Sequence, residues 1–165
     1  MANDVRIAIS CPDRTGLLAA ITGRLFDLGA DLGDTSFAVL GEAAEFACVA
    51  ELPATLDPDE TAAELTKLTE LAGATVTVTP FTLAPVRSET GQITHRVEVR
   101  GADRPGLVAR LAEGFAEFGA NIVRMDSEHI PGGGEGDYLI RFEVWLPPAR
   151  AASCLAAADN IAGSL

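Results

Sequence analysis

Two short segments set an aspartate, an arginine and a glycine at one spacing: Asp13-Arg14-Thr15-Gly16-Leu17 and, ninety residues on, Asp103-Arg104-Pro105-Gly106-Leu107. A glycine at the mouth of a helix lets the backbone come close to a ligand. The first-turn amides there lack intrahelical partners and favour an anion. Asp13 and Arg14, like Asp103 and Arg104, add an acceptor and a guanidinium beside those amides. An α-amino acid presents the matching pair, a carboxylate for the amides and an ammonium for polar strand residues or backbone carbonyls. The same residues also have a purely structural use, as an aspartate helix cap with a neighbouring arginine.

The elements that must position these loops repeat as well. Leu17, Leu18, Ile21, Leu25 and Leu28 align with Leu107, Val108, Leu111, Phe115 and Phe118, and Gly29-Ala30-Asp31-Leu32 aligns with Gly119-Ala120-Asn121-Ile122. Spacings near three and four draw one apolar stripe around a helix after each loop. Ahead of the loops, Val5-Arg6-Ile7-Ala8-Ile9 and Ile93, His95, Val97 and Val99 alternate as half-buried strands. Pro12 ends the first strand, and Asp13 is placed to cap the helix. Residues 32–40 form a second strand, and Phe46, Cys48, Ala50 and Leu52 line one face of a third. Asp57-Pro58 opens a second helix running to Ala72, and Thr75-Val76-Thr77-Val78-Thr79 forms a fourth strand. The order β-α-β-β-α-β predicts an α+β, ferredoxin-like unit: an antiparallel sheet with both helices on one face.

The repeat divides the chain into a first domain at residues 1–80, a linker at 81–91 and a second domain at 92–165. In the second, Ile140, Phe142, Val144 and Leu146 face inward on the third strand, after a hairpin insertion spanning residues 131–137. Gly163 matches Gly73, and only Ser164 and Leu165 follow it, so the second repeat has no residues for a fourth strand. The strand at 93–100 is left with a bare edge, and bare edges invite pairing. Another strand is expected to cover it, from the first repeat or from a second molecule.

The net charge is −12, with five Lys and Arg against fourteen Asp and Glu in residues 1–90, and seven against ten in 91–165. That balance argues against direct nucleic-acid binding, which leaves a basic footprint. No apolar run approaches the length of a membrane span, and Met1-Ala2-Asn3-Asp4 does not begin a signal peptide. A cytoplasmic protein is expected. Cys11, Cys48 and Cys154 are odd in number and widely spaced, as reduced thiols are.

Each copy resembles an ACT domain in its Asp-Arg-x-Gly-Leu loop, its amphipathic helix and its Gly-Ala-Asp/Asn-Leu/Ile lead into the second strand. The tandem arrangement is similar to the paired-ACT regulators of the glycine cleavage system repressor group. Cys11-Pro12-Asp13-Arg14 also resembles the ACT segment ahead of the catalytic part of formyltetrahydrofolate deformylases, a part this chain does not contain. The resemblance implies a small amino acid, glycine first, bound at the interface between two copies near the first loop and the second strand. It places Asp13, Arg14, Thr15, Gly16 and Leu17 with Asp103, Arg104, Pro105, Gly106 and Leu107 at that ligand. At the second-strand entrance it adds Asn121, whose amide donates and accepts, and Asp31 in the first copy. It further implies a non-enzymatic regulator that signals to a protein partner, a transcription factor among the candidates. A homodimer without cofactor or metal is the expected form. The alternative is a dimerisation and docking platform that binds no ligand.

Enzyme chemistry finds little footing. There is no Ser-His-Asp or Cys-His arrangement, His95 and His129 sit singly on strands, and no metal-ligand spacing occurs. Gly132 to Gly136 lacks the Lys-Ser/Thr of a phosphate loop. Cys11 adjoins the loop and is either a reactive thiol or a small strand-end residue. Trp145 alternates onto the face opposite Ile140, Phe142 and Val144, with Arg141 and Glu143, and marks a candidate partner surface on the open side of the sheet.

Overall fold

The computed structural model describes residues 3–102, 105–132 and 137–164, which divide after Val86 into two compact units. In the first, strand β1 (Asp4–Pro12) turns Val5, Ile7, Ile9 and Cys11 to one face. Helix α1 (Leu17–Asp27) covers that face with Leu17, Ile21 and Leu25. Strands β2 (Asp31–Leu40) and β3 (Ala43–Glu51) follow as a hairpin, β3 adding Ala44, Phe46, Cys48 and Ala50 to the core. Helix α2 (Pro58–Thr66) starts at a capping box in which Glu60 N–H donates to Asp57 and Asp57 N–H donates back to Glu60. Strand β4 (Thr75–Pro80) completes an antiparallel sheet of order β2-β3-β1-β4.

The expected helix to Ala72 is shorter than the sequence suggests. It ends at Thr66, Leu68 is extended, and a 3-10 turn occupies Thr69–Leu71. β-branched Thr66 and Thr69 flank the break, where helix propensity is low, and the break still lets Leu68 and Leu71 reach the core.

The second unit carries strands β5 (His95–Ala102), β6 (Asn121–His129) and β7 (Asp137–Trp145) with helices α3 (Leu107–Glu117) and α4 (Ala151–Ser164). Its sheet has three strands in the order β5-β7-β6, all antiparallel. Leu107, Leu111, Phe115, Ile140, Phe142, Val144, Leu146, Cys154 and Ala158 form the core. The Phe115 and Phe142 rings meet edge to face at 5.2 Å. α4 packs on α3, and Gly114 makes that approach possible: a Cβ there would stand 2.6 Å from Ile161 Cδ1. Residues 88–94 fasten onto this unit, with Leu146 N–H donating to Thr94 Oγ1 at 2.9 Å.

The two outer sheet faces differ. On the second, Glu143 takes Arg96 and Arg124, while Arg141 donates to Asp126 and Glu128, so charges of both signs interlock across all three strands. On the first, small and neutral residues predominate, with Ala8 opposite Ala47 and Thr77.

Candidate functional site

Both loops enter their helices through a glycine in the left-handed conformation, Gly16 at φ 86° and Gly106 at φ 80°. Among the described residues, chain neighbours aside, nothing lies within 4 Å of a Cβ placed at either position, so backbone conformation and not space demands glycine there. Gly16 is itself the N-cap, which corrects the expectation that Asp13 caps α1. The reason is one of reach: Asp13 lies three residues ahead of the cap, and its own N–H donates to Glu42 O at 2.8 Å. The first amide bonded within α1 is that of Ala20, to Gly16 O at 3.0 Å, so those of Leu17, Leu18 and Ala19 precede the helical ladder. In α3 the first is Arg110, to Gly106 O at 2.9 Å, leaving Leu107, Val108 and Ala109 in the same position. Each helix start thus gathers amide donors and the positive end of the helix dipole at an exposed loop.

Arg14 has a second occupation. Its Nη1 donates to the carbonyls of Thr69 and Glu70 at 3.1 and 2.9 Å, and its Nη2 donates to Ala72 O at 2.9 Å. The guanidinium therefore caps the 3-10 turn at Thr69–Leu71, whose carbonyls have no helix to continue into. Asp13 and Thr15 are exposed beside it, and Leu17 is buried under α1. Asp103 and Arg104 lie outside the described residues; Pro105 and Gly106 are exposed and Leu107 is buried.

The second-strand residues stand elsewhere. Asp31 is paired with Glu51, and Glu51 with Asp4, at the end of the sheet where β1 begins. The loop follows Pro12, at the other end, beside Ala43. An eleven-residue helix spans roughly 16 Å, so within one repeat Asp31 cannot share a small ligand with the loop. Asn121 is likewise opposite Trp145, while the Gly106 loop follows the end of β5 at Ala102. Asn121 Nδ2 donates to Thr90 O at 2.7 Å, tying β6 to the segment ahead of β5. Within one repeat, Asp31 and Asn121 thus stand at the opposite end of the sheet from the described residues of the loop. Trp145 is half-buried at that same far end.

The thiols are not poised for chemistry. Burial raises the Cys11 thiol above its ordinary value, against a smaller opposing pull from Arg14, which fits a packed strand-end residue. Burial also raises Cys154, and pushes Cys48 up to about 11. Among the described residues no group of three or more His, Cys, Asp or Glu side chains is placed to hold a metal ion, and no helix is long and apolar enough to cross a membrane.

Residues 95–144 match the family model of the ACT domain. The chain is similar to the crystal structure of an unknown protein from Galdieria sulphuraria, with a TM-score of 0.74, 21% identity, and 99% of this chain and 94% of that one covered. It is also similar to a protein provisionally named a glycine cleavage system transcriptional repressor, with a TM-score of 0.68, 13% identity, and 99% and 92% covered. A search among curated proteins brings no match. At these identities the structural likeness speaks for the fold alone. The architecture is a tandem of ferredoxin-like units, the second with three strands among the described residues, and the ACT match falls within that second unit.

Proposed function

We propose that the chain is a non-enzymatic regulatory protein whose repeat loops take a small amino acid, glycine first, and whose response is read by a protein partner. The observation that carries this reading is the duplicated helix start: the same Asp-Arg-x-Gly-Leu sequence, with Gly16 and Gly106 left-handed at the same place. The ACT match over residues 95–144 points to ligand-dependent regulation, and the neighbour named for glycine cleavage repression puts glycine at the head of the ligands to try. The carboxylate sits on the first-turn amides. A ligand acts as a switch only if it binds two arrangements with different affinities, so the partner surface must change with occupancy. With a net charge of −12, any effect on DNA passes through that partner.

A thermal-shift series against the twenty amino acids tests the reading. A ligand at about a hundred times its dissociation constant adds about 2.7 kcal/mol of apparent stability, a readable rise in melting temperature. Arg104→Ala is expected to weaken that response while leaving the unliganded melting temperature unchanged. No rise with any amino acid rejects the ligand and leaves the docking platform. One observation favours that second reading: Arg14 is already spent on three backbone carbonyls, a structural task.

A further inference from the structure

In the first repeat β4 lies along β1 with Val78 opposite Ile7 and Val76 opposite Ile9, and α2 packs on it. In the second, β5 pairs with β7 alone among the described residues. Along its other edge runs a groove of about 290 Å³ lined by Val97, Val99, Leu155 and Ala158, with Glu98, Arg100 and Asp159 as its charged residues. Val97 and Val99 hold the positions of Ile7 and Ile9 in the duplicated sequence. Ile7 and Ile9 are 0% and 2% exposed, whereas both valines are only half-buried.

We propose that this groove is a strand acceptor for an extended segment of a partner protein. The segment runs antiparallel to β5, with β-branched apolar side chains opposite Val97 and Val99 and acidic ones opposite Arg96 and Arg100. An edge strand offers a row of backbone donors and acceptors for main-chain pairing, and alternate side-chain pockets supply selectivity. The apolar preference is read from Val76 and Val78, which fill the equivalent places in the first repeat. The acidic preference is read from charge. Among the described residues, Arg96 and Arg100, 80% and 68% exposed, engage through Nε alone, with Glu143 and with Glu98, which lies between them on the strand.

A second copy of β5 does not fit the place. Antiparallel self-pairing would put both sets of helices on one face of the joined sheet. α4 already lies under the groove, lining it together with β5. A helix is about 10 Å wide and two strands span about the same, so two α4 helices would compete for one site. The occupant therefore brings a strand and no helix of its own on that face.

The test titrates the intact protein with a synthetic peptide copying residues 74–80 of this chain, carrying glutamate in place of Thr75 and Thr79. Binding and amide hydrogen exchange are read together. The expected result is saturable protection within residues 95–101 and none in β1. Arg96→Glu combined with Arg100→Glu changes exposed side chains only. It should weaken the acidic peptide about tenfold and improve a peptide with lysines at the same two places, given the worth of cross-strand charge pairs. Absence of protection, protection elsewhere, or indifference to the charge swap overturns the proposal. So do β5 amides already protected without peptide. Protection that rises with protein concentration assigns the edge to a second copy, and protection independent of it assigns the edge to another part of the chain.

Discussion

β1 and β5 hold one position in two copies of a fold and live in different surroundings. β1 has β3 on one side and β4 on the other, and Val5, Ile7 and Ile9 are at most 2% exposed. Among the described residues β5 has β7 alone, and Val97 and Val99 are half-buried. The alternating pattern of each strand is the same, so burial here is set by a neighbour seventy residues away in sequence and not by the strand itself. The outer faces diverge in step. Where small and neutral residues predominate on the first sheet, the second is laced with arginine–carboxylate pairs, which add little stability at an exposed surface.

The largest expected effect pits the two strands directly. Ile7→Ala should cost about 2–5 kcal/mol in denaturant unfolding, whereas Val97→Ala should cost under about 1 kcal/mol, because part of its side chain is already in water. Equal losses would break the comparison. Next in size, Gly16→Ala and Gly106→Ala should each cost about 1–2 kcal/mol, since both force a side chain into a left-handed backbone. Here the repeats should agree; a neutral substitution at either loop would show that its conformation relaxes. Arg14→Ala should cost about 1 kcal/mol and speed amide exchange around Leu71, and Arg14→Lys should not restore it, because an ammonium cannot span three carbonyls in a plane. A further effect is in pH. The folded Cys48 thiol titrates near 11 against 9.0 unfolded, so its contribution is intact below pH 9 and is lost as pH rises from 9.0 to about 11. Stability measured across that range should fall less steeply in Cys48→Ala.

Much of this was legible from residue order. The duplication, both amphipathic helices, the Asp57 cap and the inward stripes of β1, β3 and β7 follow from local periodicity and turn chemistry. The partners of Arg14 were not, because they lie fifty-five to fifty-eight residues away and are backbone atoms that any residue carries. The end of α2 escaped for a related reason: Leu65, Leu68 and Leu71 keep a helical spacing through a break that tertiary packing imposes. The placing of Asp31 and Asn121 followed the family pattern. β2 runs parallel to β1, and β6 to β5, so each second strand starts at the opposite end of its sheet from where the first one finishes, and that separation became visible only with the register.

The central claim is that the two helix starts hold an amino acid carboxylate, and amide NMR of the intact protein tests it most directly. Millimolar glycine, with the other amino acids in parallel, should move the resonances of Leu17, Leu18 and Ala19 or of Leu107, Val108 and Ala109 ahead of all others. Spectra in which those amides stay still for every amino acid, or in which only distant residues move, would contradict it.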